Sequence, residues 1–378
     1  MLTLKKRIDA VMNSEKADAP ALLATLLRGV SAVYAAAQKI RAAGYRHNLL
    51  KSRTLPCRVI SIGNITVGGT GKTPMTIYLA RALQQSGKRV AVVSRGYKGA
   101  DEKAGGIVSD GQNLLMDADR AGDEPFMMAS RLKGIPVVIG KSRYDAGMLA
   151  IREFQPEVIL LDDAYQHLKL KRDINLVLLD YDRPFGNFHI LPRGNLREPL
   201  AALARADACI LTRSPQGADQ DVPGNASELK SALPRIPVFR SYHEPYFYLI
   251  KRGQLTPSGD ITELLTPPEL EKIKRSRVFG FSGIARNDDF QRTVGRTGFN
   301  AAGYSEFDDH HRYGPKHLED IERIAQEAGA NCLITTEKDY VRIPPQMSLS
   351  MDMIVVGVQI VFNQDGQDFI SFIQSCLK

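Results

Sequence analysis

An apolar strand-like run, Arg58–Ile62, leads through Gly63-Asn64-Ile65-Thr66-Val67-Gly68-Gly69-Thr70-Gly71-Lys72-Thr73-Pro74 into a helical pattern over 73–86. Few folds accommodate that succession. Glycines without a Cβ let backbone N–H groups converge on one point, and the start of the following helix adds positive potential there. The result is a cradle for a polyphosphate, with Lys72 reaching the β/γ-phosphates and the Thr73 hydroxyl holding Mg²⁺. Thr66, Val67, Gly68, Gly69, Thr70, Gly71, Lys72 and Thr73 are therefore the expected nucleotide contacts. The general pattern Gly-x-x-x-x-Gly-Lys-Ser/Thr has glycine where this chain has Thr66. Gly68 and Gly69 supply the missing freedom closer to the lysine.

The same alternation of short apolar runs and helical patterns continues beyond the loop. Strand-like runs are Arg89–Val93, Pro136–Ile139, Val158–Leu161, Ile174–Leu179 and Ala208–Leu211, with helical patterns at 122–133, 142–154 and 198–205. This predicts an α/β fold of the P-loop NTPase type: a mostly parallel sheet flanked by helices, with ligands at the carboxyl ends of the strands. The turn formers of 214–227 predict an exposed loop, and the aromatic segment 237–250 predicts paired strands acting as a linker. The expected division is a kinase-sized domain over 1–228 and a smaller α/β domain over 229–378. In the latter, strands are expected at Val278–Phe281, Cys332–Thr335 and Met353–Val358, with helices at 286–297, 315–328 and 365–376.

A triphosphate site also needs a carboxylate to organise the metal. Val158-Ile159-Leu160-Leu161-Asp162-Asp163-Ala164-Tyr165-Gln166-His167 ends an apolar strand in two aspartates, either of which suits that role. Asp180, after Leu176–Leu179, is a rival. Phosphoryl transfer further requires a group to orient the acceptor and charge to neutralise the transition state. Asp123, in Gly122-Asp123-Glu124-Pro125, is a candidate base, although read alone it fits a helix N-cap better. His310-His311 lies in a segment rich in titratable groups, where a catalytic or orienting role fits better than zinc. Arg193, Arg197 and Glu198 share a turn-rich loop in which arginines can clamp phosphate.

The net charge of +8 favours acidic partners without choosing among them. Basic residues are scattered and not interleaved with aromatics, which argues against nucleic acid. The four cysteines are widely separated, and Cys57, Cys209 and Cys332, in apolar strand-like runs, read as buried free thiols, fitting a reducing compartment. Met1–Lys16 is too polar for a signal peptide, and no run of about 18 apolar residues exists for a spanning helix. Over 20–42, Leu22, Leu23, Leu26, Leu27, Val30, Val33, Tyr34 and Ala37 form a helical apolar stripe with Arg28, Lys39, Arg41 and Arg46 in or near it. Such a helix can lie on an anionic membrane or pack on its own domain, and both readings remain open here.

Together these blocks resemble the tetraacyldisaccharide 4'-kinases of lipid A biosynthesis. The resemblance rests on Gly63–Pro74, Ser94-Arg95-Gly96-Tyr97, Gly122–Pro125, Asp162-Asp163-x-x-Gln166-His167, Leu191-Pro192-Arg193-Gly194-x-Leu196-Arg197-Glu198-Pro199, Phe307-x-Asp309-His310-His311-x-Tyr313 and Thr335-Thr336-Glu337-Lys338-Asp339, in the family's order. That family also has threonine at the position of Thr66. The resemblance implies ATP- and Mg²⁺-dependent phosphorylation of the 4'-hydroxyl of a tetraacyl glucosamine disaccharide 1-phosphate. It implies a peripheral enzyme on the cytoplasmic face of the inner membrane, and no protein partner is expected. By the same carry-over, Thr73, Asp162 or Asp163, and Glu198 serve the metal, with Gln166 and His167 behind them. Asp123, aided by His310 or His311, activates the acceptor, and Lys72 and Arg197 neutralise phosphate charge. A regulatory nucleotide switch is disfavoured: no second lysine opens the loop and no Asn-Lys-x-Asp run is present.

Overall fold

The computed structural model describes residues 11–12, 21–216, 231–232, 236–255 and 264–378. Two compact units result. The first comprises Met1–Val93, Arg143–His243 and Ile360–Lys378; the second comprises Ser94–Ser142 and Glu244–Gln359. Each is thus assembled from separated stretches of chain. The division expected at 228/229 falls outside the described residues, as does most of the loop expected at 214–227.

In the first unit the strand order is Val90–Ser94, Val158–Asp162, Arg58–Asn64, Ile174–Asp180, Ala208–Thr212 and the start of Val238–Ile250, with every pairing parallel. The Val/Ile/Leu runs that predict these strands are buried almost throughout, as parallel sheets covered on both faces require. Registers pair Ile62 with Asp162 and Asn64 with Leu178, so the phosphate loop and the paired aspartates leave the sheet at the same edge. Helices Lys72–Gln85 and Arg143–Phe154 and the 3₁₀ turn Leu200–Arg205 fall where the periodicity predicts. The terminal helix Asp365–Leu377 belongs to this unit. Phe369 packs on Tyr78, Phe239 and Phe362, and Asp365 accepts a 2.7 Å bond from Arg240 N–H.

Helix Ala21–Arg46 resolves the open question about its apolar stripe, because it carries two. Leu27 and Ser31 are buried, and Tyr34 and Ala35 pack on a core built from Ile65, Tyr165, Ile190, Leu196 and Leu203. Leu26, Val30, Val33, Ala37 and Ile40 form the adjacent row and are exposed, Val33 and Ile40 by 72% and 73%. The inner face packs on the domain and the outer face does not. Among the described residues no helix is long and apolar enough to cross a membrane.

In the second unit, Asn300–Glu306, Arg277–Ser282, Cys332–Thr336 and Asp352–Phe362 pair in parallel in that order. Gly106–Ser109 pairs antiparallel with Val137–Ile139. Helices Asn287–Arg296 and Pro315–Glu327 match expectation, while strand Asn300–Glu306 and the short helices Pro267–Ile273 and Glu337–Tyr340 do not show in the sequence pattern. The paired strands expected over 237–250 are one continuous strand, Val238–Ile250. The polar stretch around Pro245 imitates a turn, yet proline costs a strand only one donor.

Gly63 is fixed by close approach: a Cβ there would meet Tyr165 Cβ at 2.6 Å and its backbone N at 2.7 Å. Gly63→Ala should therefore destabilise the protein by about 1–3 kcal/mol in denaturant melts. Wild-type stability in that variant would contradict the packing described.

Candidate active site

The phosphate loop is built from the end of the central strand. Gly68 (φ 110°) and Gly71 (φ 81°) take left-handed conformations that only glycine adopts without strain. Asn64 Nδ2 donates to Thr70 Oγ1 at 3.0 Å, and Thr212 Oγ1 donates to the Thr70 carbonyl at 3.0 Å, pinning the loop from two strands. Helix Lys72–Gln85 then starts on Gly71 with no side-chain cap. Its first amides are left for a ligand, and the helix dipole adds positive potential at the same point. All eight residues expected to contact nucleotide lie on this loop and helix start.

Asp162 and Asp163 take different surroundings. Asp162 is buried and accepts from Thr76 Oγ1 at 3.0 Å, tying the strand end to the helix after the loop. Asp163, in a left-handed conformation (φ 46°), accepts from Arg197 Nη1 at 3.1 and 3.2 Å and lies 3.8 Å from Lys72 Nζ. Non-glycine residues in that region are uncommon and gather at functional sites. Arg197 is placed by the loop's own backbone: Arg197 N–H donates to Ile65 O and Val67 N–H to Asn195 O, each at 2.7 Å. Glu198 is buried and paired with Arg205. Gln166 Nε2 donates to Asn64 O at 2.7 Å, a direct brace on the loop. Asp180 is taken by Arg213 at 2.8 Å.

An uncapped helix start, a lysine beside it and two strand-end carboxylates suit a polyphosphate with a hard divalent cation, which prefers oxygen ligands. Among the described residues no three His, Cys, Asp or Glu side chains form a metal-binding group by themselves. The cation of such a site draws part of its coordination from the phosphates.

The second group lies in the other unit. Asp123 is the first residue of helix Asp123–Arg131, whose N-cap is Gly122, so the capping role that the sequence favours is not the one found. Its Oδ2 accepts from Arg342 Nε at 2.6 Å and faces His310 Nδ1 at 3.0 Å. With the carboxylate ionised, Nδ1 carries the proton and donates to it. Burial pushes the Asp123 carboxyl up, but the His310 hydrogen bond and the Arg342 charge outweigh it, and the group sits below the usual carboxylate range. His310 is itself left-handed (φ 67°) and meets the edge of the Tyr97 ring at 6.2 Å between centroids. His311 turns the other way and stacks on Phe307 at 4.5 Å, beside Tyr313 and His317.

Three residues of this group have no role in the sequence reading: Arg342, Asp339 and Tyr313. Asp339 is fully buried and accepts from Gly283 N–H at 2.9 Å, Tyr313 O–H at 3.0 Å and Arg342 Nη1 at 3.2 Å. Burial nevertheless pushes its carboxyl up. The Thr335–Asp339 block and Tyr313 were visible as motif residues; nothing local marks Arg342.

His167 provides a pH test of the first group. Burial, then the charges of Arg143 and Arg172, push its imidazole from 6.5 down to about 4. The unfolded chain protonates near pH 6.5 and the fold near 4, so stability should fall as pH drops through that window. Thermal midpoints of His167→Gln should lose much of this dependence relative to wild type. An unchanged dependence would contradict a neutral, half-buried His167.

The family model for tetraacyldisaccharide-1-P 4'-kinase matches residues 23–378. A tetraacyldisaccharide 4'-kinase of Desulfatibacillum aliphaticivorans is 40% identical over 379 residues, 100% of this chain and 99% of the relative. Another, from Pelobacter propionicus, is 43% identical over 321 residues, covering 85% of this chain and 83% of its own length. The crystal structure of LpxK from Aquifex aeolicus in complex with ATP is similar over 94% of this chain and 100% of that one, with a TM-score of 0.73 and 30% identity. This chain belongs to the tetraacyldisaccharide-1-P 4'-kinase family.

Proposed function

We propose that the chain transfers the γ-phosphate of ATP to the 4'-hydroxyl of a tetraacyl glucosamine disaccharide 1-phosphate, the lipid A precursor, using the two groups described above. Family membership supplies the reaction class, a kinase acting on a hydroxyl. The observation that carries the acceptor chemistry is the Asp123–His310 pair at 3.0 Å.

On the donor side, Lys72 and the amides at the start of its helix bind the β/γ-phosphates. Thr73 and the Asp162–Asp163 pair would hold Mg²⁺, which would supply charge neutralisation on the phosphates. Asp163 would be the better direct ligand, because Asp162 is buried against Thr76. Glu198, already balanced by Arg205, contributes by holding its segment and hence Arg197 in place. Arg197 leaves Asp163 to share the developing phosphoryl charge.

On the acceptor side, Asp123 Oδ1 has no hydrogen-bond partner among the described residues and is available to accept the 4'-hydroxyl proton. A low carboxyl pKa does not defeat that role. In a loose phosphoryl-transfer transition state the nucleophile sheds its proton late, so an ionised, well-aimed acceptor suffices. His310 fixes the carboxylate from its other oxygen.

The exposed row Leu26, Val30, Val33, Ala37 and Ile40, with exposed Arg28, Lys39, Arg46 and Lys51 on or just beyond the same helix, supports peripheral attachment to an anionic bilayer. A substrate with acyl chains makes the cytoplasmic face of the inner membrane the natural place for it.

With ATP, Mg²⁺ and the lipid disaccharide in detergent, Lys72→Ala should lower kcat/KM by about 10²- to 10³-fold. Asp123→Asn should lower kcat by about 10²- to 10⁴-fold with little change in nucleotide KM. A variant of either kind with wild-type turnover would sink its assignment. For the membrane, Val33→Asp with Ile40→Asp should reduce co-sedimentation with anionic vesicles while leaving detergent-phase kcat intact. Unchanged co-sedimentation would count against an interfacial helix.

A further inference from the structure

Two segments far apart in sequence are joined by three ion pairs inside the second unit. Helix Asp123–Arg131 contributes Asp123, Glu124 and Arg131; the segment from Glu337 to Arg342 contributes Arg342, Lys338 and Glu337. Arg342 Nε meets Asp123 Oδ2 at 2.6 Å, Lys338 Nζ meets Glu124 Oε1 at 2.5 Å, and Arg131 Nη1 lies 3.8 Å from Glu337 Oε2. Tyr246 O–H donates to that same Glu337 oxygen at 2.5 Å, and the Arg131 guanidinium lies over the Tyr246 ring. The helix that presents Asp123 is thus held along its length by one short segment.

Arg342 is the member of this set with the least solvent contact, and its Nε and Nη1 donors are engaged. Besides Asp123 it donates through Nη1 to Gly283 O at 2.7 Å and to Asp339 at 3.2 Å, and Nη2 lies 3.4 Å from His310 Nδ1. Asp339 is in turn fixed by Gly283, Tyr313 and Thr336, so the guanidinium plane has little freedom. A planar fork with its donors committed sets direction as well as charge.

We propose that Arg342 is a positioning residue for phosphoryl transfer: anchored on Asp339 and Gly283, it clamps Asp123 Oδ2 and thereby presents Oδ1, in its ionised form, to the acceptor hydroxyl. This deepens the reading in which Asp123 receives the hydroxyl proton, and it rests on that reading. The groups facing Asp123 are His310 from the 307–313 turn, with Asp309 3.9 Å from His310 Nε2 and Tyr97 at its ring edge, and Arg342 with Asp339 behind it; Glu124 and Lys338 form the next ion pair along the same helix. Of these, Arg342 is the charge that most directly opposes the burial of the carboxylate. Without it, one of the two groups that hold the carboxyl down is lost, and the carboxyl titrates higher.

The test is the pH dependence of kcat for wild type, Arg342→Gln, Arg342→Lys and Asp123→Asn, with ATP, Mg²⁺ and the lipid disaccharide in detergent. Arg342→Gln should lower kcat at neutral pH by about 10- to 100-fold. It should also move the acid limb upward by about one pH unit or more, with nucleotide KM unchanged. Arg342→Lys keeps the charge and loses the fork, so its acid limb should stay near the wild-type position while kcat still falls. A merely structural arginine would lower kcat without moving the limb, and that result in Arg342→Gln overturns the proposal. If Arg342→Gln does not fold, Arg342→Lys decides: a limb displaced upward, or an undiminished kcat, overturns it. Activity retained in Asp123→Asn would instead remove the underlying base assignment, a separate and recognisable failure.

Discussion

A helix that begins without a side-chain cap leaves its first amides unsatisfied, and in the first unit this occurs at Lys72, at the end of a glycine loop. Much of the surrounding structure serves that constraint. The central strand Arg58–Asn64 lies between Val158–Asp162 and Ile174–Asp180, so it emerges at a fixed height and angle. Asn64 and Thr212 pin Thr70, Gln166 braces Asn64, and Asp163 holds Lys72 and Arg197 close to the loop. An anion satisfies the amides and competes with Asp163 for both cations. In the proposed reaction, donor binding would therefore rearrange ion pairs that already exist and would not require new ones to be built.

The second unit solves a different electrostatic problem. A carboxylate that is to accept a proton from a sugar hydroxyl must be buried enough to exclude water and still ionised. Asp123 meets both demands because its burial penalty is offset by one guanidinium and one imidazole on a single oxygen. Asp339 shows the same penalty less fully offset: it has more donors, yet its carboxyl is pushed up. The contrast shows that the number of hydrogen bonds alone does not set the outcome for a buried acid. Depth of burial enters as well.

Much of the first unit is legible in the sequence, because strands buried on both faces announce themselves as continuous apolar runs and the glycine loop is contiguous. The amphipathic helix was half legible. Its inner row, Leu27, Ser31 and Tyr34, and its outer row, Leu26, Val30 and Val33, look alike to hydrophobicity; Ser31 is buried because its hydroxyl donates to Ile190 O at 2.9 Å. The division into units is not legible, since each unit gathers distant stretches of the chain. Arg342 lies 219 residues from Asp123, and no local pattern links them. The choice between His310 and His311 likewise needed coordinates: adjacent residues in a turn point apart, and only His310 meets Asp123.

In the proposed mechanism one chain couples ATP cleavage to a lipid hydroxyl through Asp123. Its most direct test is stoichiometry: ADP formed against phosphomonoester gained by the lipid, the latter read by ³¹P NMR of the isolated product. One ADP should form for each new phosphomonoester at the 4' position, with both signals lost together in Asp123→Asn. ADP release that proceeds without the lipid, or that persists in Asp123→Asn while the lipid stays unmodified, would contradict it.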